Sequence, residues 1–82
     1  MAYDVDVGSV RDALEALPAA ALVALAEVLD VLERAPWSGD PLVDRNPDGA
    51  VRTMTFAGTG LVTYVIVEHL GRVDLLQLHW AG

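Results

Sequence analysis

The sequence predicts an α+β domain in which a helical hairpin covers one face of a largely antiparallel sheet. Three observations carry this. An alternating apolar–acidic start (Tyr3, Val5 and Val7 against Asp4 and Asp6) has the period of a half-buried strand. A leucine stripe (Leu22, Leu25, Leu29, Leu32) has the period of a helix. The last third reads as three strands separated by glycine-bearing turns, the pattern of a meander. The expected order is β-αα-β-β-β in one domain spanning residues 1–82.

The first strand is expected over Tyr3–Val7, with Gly8 ending it. Ser9 is placed to cap the next helix, and Asp12 three residues on approximates a capping box. Val10, Leu14 and Leu17 give that short helix its apolar side. Pro18 breaks it, because proline suits a first turn and not an interior. A second helix is then expected over Ala19–Arg34. Val23, Val28 and Val31 widen its apolar surface, so most of it is expected to be covered. The stripe is too short to demand a coiled coil, and packing on a sheet is the favoured role.

Pro36 stops the helix. Residues 36–49 are rich in turn formers and hold three of the four prolines. A loop of that length in a small domain often carries function. The three closing strands are expected at Ala50–Ala57, Leu61–Glu68 and Val73–Trp80. The middle run, Leu61 to Val67, is apolar on both faces and suits a central position.

Composition narrows the function. The chain has 82 residues, 54% of them hydrophobic, enough for one efficient core. No cysteine is present, which removes disulfides, thiol nucleophiles and thiolate metal sites. No apolar run reaches the roughly 18 residues of a membrane span, and the acidic start does not read as a secretory signal, so the expected location is cytoplasmic. The net charge is −7, from twelve carboxylates against five arginines. Nucleic-acid binding draws most of its affinity from cations at phosphates, so this balance disfavours an RNA or DNA surface unless arginines converge. It favours a basic partner. No phosphate loop, dinucleotide fingerprint or nucleophile elbow is present, and nothing calls for a cofactor. His69 and His79 lack a nearby third ligand for a metal.

Four residues remain as candidates for chemistry. As a histidine, His79 is a candidate general acid or base. Trp80 offers a face for a nucleobase; the plainer alternative makes it a hydrophobic plug beside a solvent-facing His79. Asp40, between Gly39 and Pro41, is a loop carboxylate that serves either as a base or as a turn former. Arg52 on a strand can meet a phosphate or pair with a carboxylate.

The element order and local motifs together resemble the RelE/ParE toxin superfamily of type II toxin–antitoxin systems, over nearly the whole chain. The motifs are Leu17-Pro18 at the hairpin junction, Ala35-Pro36-Trp37 after the stripe, Gly39-Asp40-Pro41-Leu42, Val62-Thr63-Tyr64-Val65 and the terminal His79-Trp80. The proline loop and the terminal pair are most similar to the YoeB branch. The resemblance implies a toxin-like protein with an antitoxin partner, and either ribosome-dependent mRNA cleavage or binding to a protein such as DNA gyrase. In the nuclease branch, Asp40 would be the loop base, His79 the terminal histidine, Trp80 the stand-in for the terminal tyrosine, and Arg52 the remaining strand arginine. Leu61 stands where the family carries an arginine at the phosphate, and Thr53 or Met54 where it carries a second. Losing such an electrostatic contact costs about 10²–10³ in rate. The alternative is a toxin-fold interaction domain without catalysis; a bland domain with an unrelated role stands third. The exposed first strand could also pair two chains into a homodimer.

Overall fold

The computed structural model describes residues 2–81; Met1 and Gly82, which the expected domain 1–82 includes, lie outside the described residues. The chain runs β1 (Asp4–Asp6), a 3-10 turn (Gly8–Val10), α1 (Arg11–Glu15), α2 (Ala19–Arg34), a second 3-10 turn (Pro36–Ser38), β2 (Asp40–Pro41), β3 (Val51–Phe56), β4 (Gly60–Val67), a third 3-10 turn (Glu68–Leu70) and β5 (Arg72–Trp80). The five strands form one sheet in the order β1-β5-β4-β3-β2. β2 to β5 pair antiparallel, while β1 pairs parallel with β5, Val5 opposite Val73. β4 is central, as its apolar run requires.

Proline sets both ends of α2. Pro18 is its N-cap residue in extended conformation, and Pro36 opens the turn that follows Ala35. One side of α2 packs on the sheet through Ala21, Leu25 and Leu32, all essentially buried. The wider covering expected of α2 does not extend to Val23, which is 63% exposed.

Period-2 alternation separates the two sheet faces. Val62, Tyr64 and Ile66 of β4 point to the helices and are buried. Leu61, Thr63, Val65 and Val67 point the other way, to a face that carries none of the helices. The core forms two adjoining clusters. One joins Val10 and Leu32 to Val62, Tyr64, Ile66, Val73 and Leu75; the other joins Leu17, Ala21 and Leu25 to Phe56.

Two local expectations need correction. Ser9 does not cap a helix: it lies inside the 3-10 turn, and α1 starts from Val10 with no side-chain cap. Asp6 takes over, its Oδ1 accepting the Gly8 N–H at 2.8 Å and closing the chain tightly behind β1. The turn between β3 and β4 sits one residue earlier than expected. Ala57 and Gly58 both adopt positive φ, and Gly60 belongs to β4, opposite Phe56. Gly60 is there for space, since a Cβ would meet the Phe56 ring at 2.5 Å.

Candidate functional site

The loop after α2 is held by two side chains that neighbour each other across the strands. Arg52 of β3 lies opposite Tyr64 of β4 on the helix-side face. The Arg52 guanidinium donates to the carbonyls of Trp37, Gly39, Pro47 and Gly49, at 2.5 to 3.3 Å. It also stacks on Trp37, 4.9 Å from the ring centroid. Only 7% of the residue is exposed. Tyr64, wholly buried, donates its hydroxyl to the Pro36 carbonyl at 2.7 Å. Five carbonyls of a segment almost without secondary structure thus find donors on the sheet, which is what keeps buried loop backbone tolerable. Arg52 therefore does not make the carboxylate pair expected of it. It meets carbonyl oxygens, not a carboxylate, and its guanidinium is engaged inside the fold.

Burial pushes the Tyr64 phenol above its ordinary value near 10, partly opposed by the Arg52 charge. The folded chain holds this proton to higher pH than the unfolded chain does. Its contribution is complete below about pH 10 and fades as pH rises through the folded-state value. Urea midpoints followed from pH 8 to 11 should fall at the alkaline end. Tyr64→Phe should flatten that limb while lowering stability by about 1–2 kcal/mol at pH 8, because Pro36 loses its donor. An unchanged alkaline slope in the variant would refute this role.

Asp40 is exposed and paired with Thr53, and His79 is exposed and paired with Leu61. Paired residues share a face, so both carboxylate and imidazole belong to the helix-free side of the sheet. They are not adjacent: Asp40 heads the row Asp40–Thr53–Thr63–Gln77, and His79 ends the row Thr55–Leu61–His79. Three strand spacings, about 14 Å, separate them sideways, plus about 7 Å along the strands. Leu61, at the position of the expected family arginine, is the direct cross-strand neighbour of His79.

Trp80 faces the opposite way. It pairs with Gly60, packs against the Leu17–Phe56 cluster and lines a groove with Ala13, Ala16, Leu17, Leu78 and His79. Both residues border the groove, but alternation along β5 sends their side chains to opposite faces, and Trp80 packs on the core. Its indole N–H is buried without a partner among the described residues. Trp80→Phe should therefore stay within about 1 kcal/mol of the parent, since the unmet donor leaves with the nitrogen. Trp80→Ala should cost about 2–4 kcal/mol through lost packing. Equal losses for the two variants in guanidinium unfolding would contradict the unpaired N–H.

The remaining cations are dispersed. Arg34 pairs with Asp30 at 2.8 Å on the surface of α2. Arg72 grips Asp74 through two nitrogens, at 2.8 and 3.1 Å, at the end of β5 remote from His79. Arg11 belongs to α1 and Arg45 to the segment between β2 and β3. Arg45, Arg52 and Arg72 do not converge on His79. His69 sits in the turn before β5, not on a strand, about 23 Å of strand from His79. Among the described residues no group of three or more potential ligands could hold a metal.

One constellation is not legible in the sequence. Glu68 accepts from the Tyr3 hydroxyl at 2.9 Å on both oxygens and from the Trp37 indole at 3.1 Å. It ties together the chain start, the loop and the β4–β5 turn, three places far apart in sequence.

No family model and no curated protein matches the chain. Solved structures do. The RelBE2 toxin–antitoxin complex from Mycobacterium tuberculosis includes a chain that superposes with a TM-score of 0.78 at 25% identity, over 98% of this chain and 92% of that one. The archaeal RelE–RelB complex from Pyrococcus horikoshii OT3 gives a TM-score of 0.64 at 22% identity, over 100% of this chain and 98% of that one. A five-stranded sheet with two helices on one face, closed by a parallel first strand, is thus a RelE-type architecture. The likeness to the RelE/ParE toxin superfamily extends from motifs to the whole fold.

Proposed function

We propose that this chain is the toxin-fold member of a toxin–antitoxin-like pair and acts by binding protein, not by cutting RNA. One observation carries the reading: the cross-strand neighbour of His79 is Leu61 and not an arginine. Cleavage through a 2′-hydroxyl develops negative charge on the phosphate, which must be met by a preorganised donor. Arg52, the nearest candidate by sequence, spends its donors on loop carbonyls. Antitoxin binding asks for none of this. It asks for surface, and the two similar solved structures are a toxin–antitoxin complex and a RelE–RelB complex.

The nuclease reading keeps one support, the shared face of Asp40 and His79. In it Asp40 is the base, His79 the acid, and the ribosome brings the missing positive charge; the Gly39-Asp40-Pro41-Leu42 likeness to the YoeB branch belongs with it. An mRNA cleavage assay on translating ribosomes separates the two. We expect intact mRNA with the parent and with His79→Ala alike. Cuts at the ribosomal A site that vanish in His79→Ala would overturn the protein-binding reading. His79→Ala should fold normally, within about 0.5 kcal/mol by thermal unfolding, because the side chain is exposed.

A further inference from the structure

The helix-free face of the sheet combines aliphatic surface with acid. Its rows follow from the register. Val51 and Val65 continue into Asp74 and Asp6 across β5 and β1. Leu42, whose N–H bonds to the Val51 carbonyl at 3.0 Å, extends that row at the other side and is 55% exposed. The next row joins Val67 to Arg72 and Asp4. Asp40 stands on the β2 margin. The face carries four aspartates and one arginine, and that arginine is already bidentate to Asp74. An RNA backbone would meet repulsion here.

From this we infer that the open face is the docking surface for a basic segment of a protein partner, one with aliphatic residues in its middle and lysine or arginine at its ends. The inference rests on the protein-binding reading above and names the partner's chemistry. Aliphatic side chains would cover Leu42, Val51, Val65 and Val67. The end cations would meet Asp40 on one margin and Asp4, Asp6 and Asp74 on the other. The margins lie four strand spacings apart, about 19 Å. A helix of about 13 residues spans that distance at 1.5 Å per residue. Complementary charge of this kind selects the partner and speeds encounter.

The test uses the intact protein, isotope-labelled, with the helical peptide KKLAALAALAALKK as probe. Amide signals of Thr53, Thr63, Val65 and Asp74 should move on titration, and affinity should fall as salt rises. Combining Asp4→Asn, Asp6→Asn and Asp40→Asn should weaken binding about tenfold by removing three partners of the end cations. Asn at position 6 keeps the oxygen that receives the Gly8 N–H. The pair Glu15→Gln and Glu27→Gln, on the helices, should change affinity less than about twofold. The acidic peptide EELAALAALAALEE and a uridine dodecamer should leave the sheet signals in place. Peptide shifts confined to α2, an equal loss from the helix pair, or sheet shifts caused by the RNA would each overturn the inference. Absence of peptide binding would do so too, while leaving the protein-binding reading intact; that reading falls only with ribosomal cleavage.

Discussion

Arg52→Met should lower stability by about 3–5 kcal/mol, enough to bring an 82-residue domain close to unfolding at room temperature. Methionine fills much of the buried stem but donates nothing. Four carbonyls then lose their donor, and a buried acceptor left unmet costs about 1–3 kcal/mol. The total stays below the sum because the loop can swing into water. Arg52→Lys should recover only part, since an ammonium has three donors and no planar fork. At about 4–8 °C per kcal/mol, the midpoint of thermal unfolding should drop by roughly 15–30 °C for methionine. A melting point within a few degrees of the parent would mean that the guanidinium is free for other work, and would restore Arg52 as a phosphate ligand.

Gly39→Ala is the second large effect, expected at about 3 kcal/mol. The glycine is not required by its backbone angles, because φ is −73° and ψ is 167°, which any residue adopts. It is required by space. A Cβ would fall inside the Tyr64 hydroxyl and 2.8 Å from the Thr53 carbonyl. Either Tyr64 leaves the Pro36 carbonyl or β2 parts from β3. Over-packing of this kind typically costs about 1–3 kcal/mol before the lost hydrogen bond is added. A double-mutant cycle with Tyr64→Phe checks the cause. Removing the hydroxyl relieves the nearest clash, so the two changes together should cost less than their separate costs summed. Strict additivity in urea unfolding would show that Gly39 and Tyr64 do not meet.

The elements that were legible are those specified by neighbours in sequence. Pro18 and Pro36 bracket α2, and the alternation of Val62, Tyr64 and Ile66 sets which face of β4 is buried. What escaped depends on distant chain. Alternation puts Arg52 opposite in sense to Val51 and Thr53, but says nothing of a loop that arrives to cover it. The same holds for Glu68, whose three-way tether needs Tyr3 and Trp37 to be brought near. For the terminal pair, alternation correctly separates His79 from Trp80. Which of them faces the helices depends on an irregularity: Tyr64 pairs with Leu75 and Thr63 with Gln77, so Leu76 is an extra residue that shifts the remaining strand by one. The doubled leucine at 75 and 76 was the one local sign of it. Ser9 shows the reverse failure, a good local cap signal outcompeted by Asp6 and the tight turn behind β1.

The parallel pairing of β1 with β5 has a bearing on how the chain is born. Asp4, Val5 and Asp6 have no strand partner until Arg72, Val73 and Asp74 exist. At about 5–20 residues per second, the growing chain waits several seconds with its first strand unmatched. Long-range pairings of this kind also slow folding. During that interval α1 and α2 have no finished sheet to cover, and their leucines are open to whatever binds apolar helices. A protein partner present at the site of synthesis would therefore meet this chain first in a half-built form. Order of synthesis of the two partners then becomes a variable of assembly in its own right.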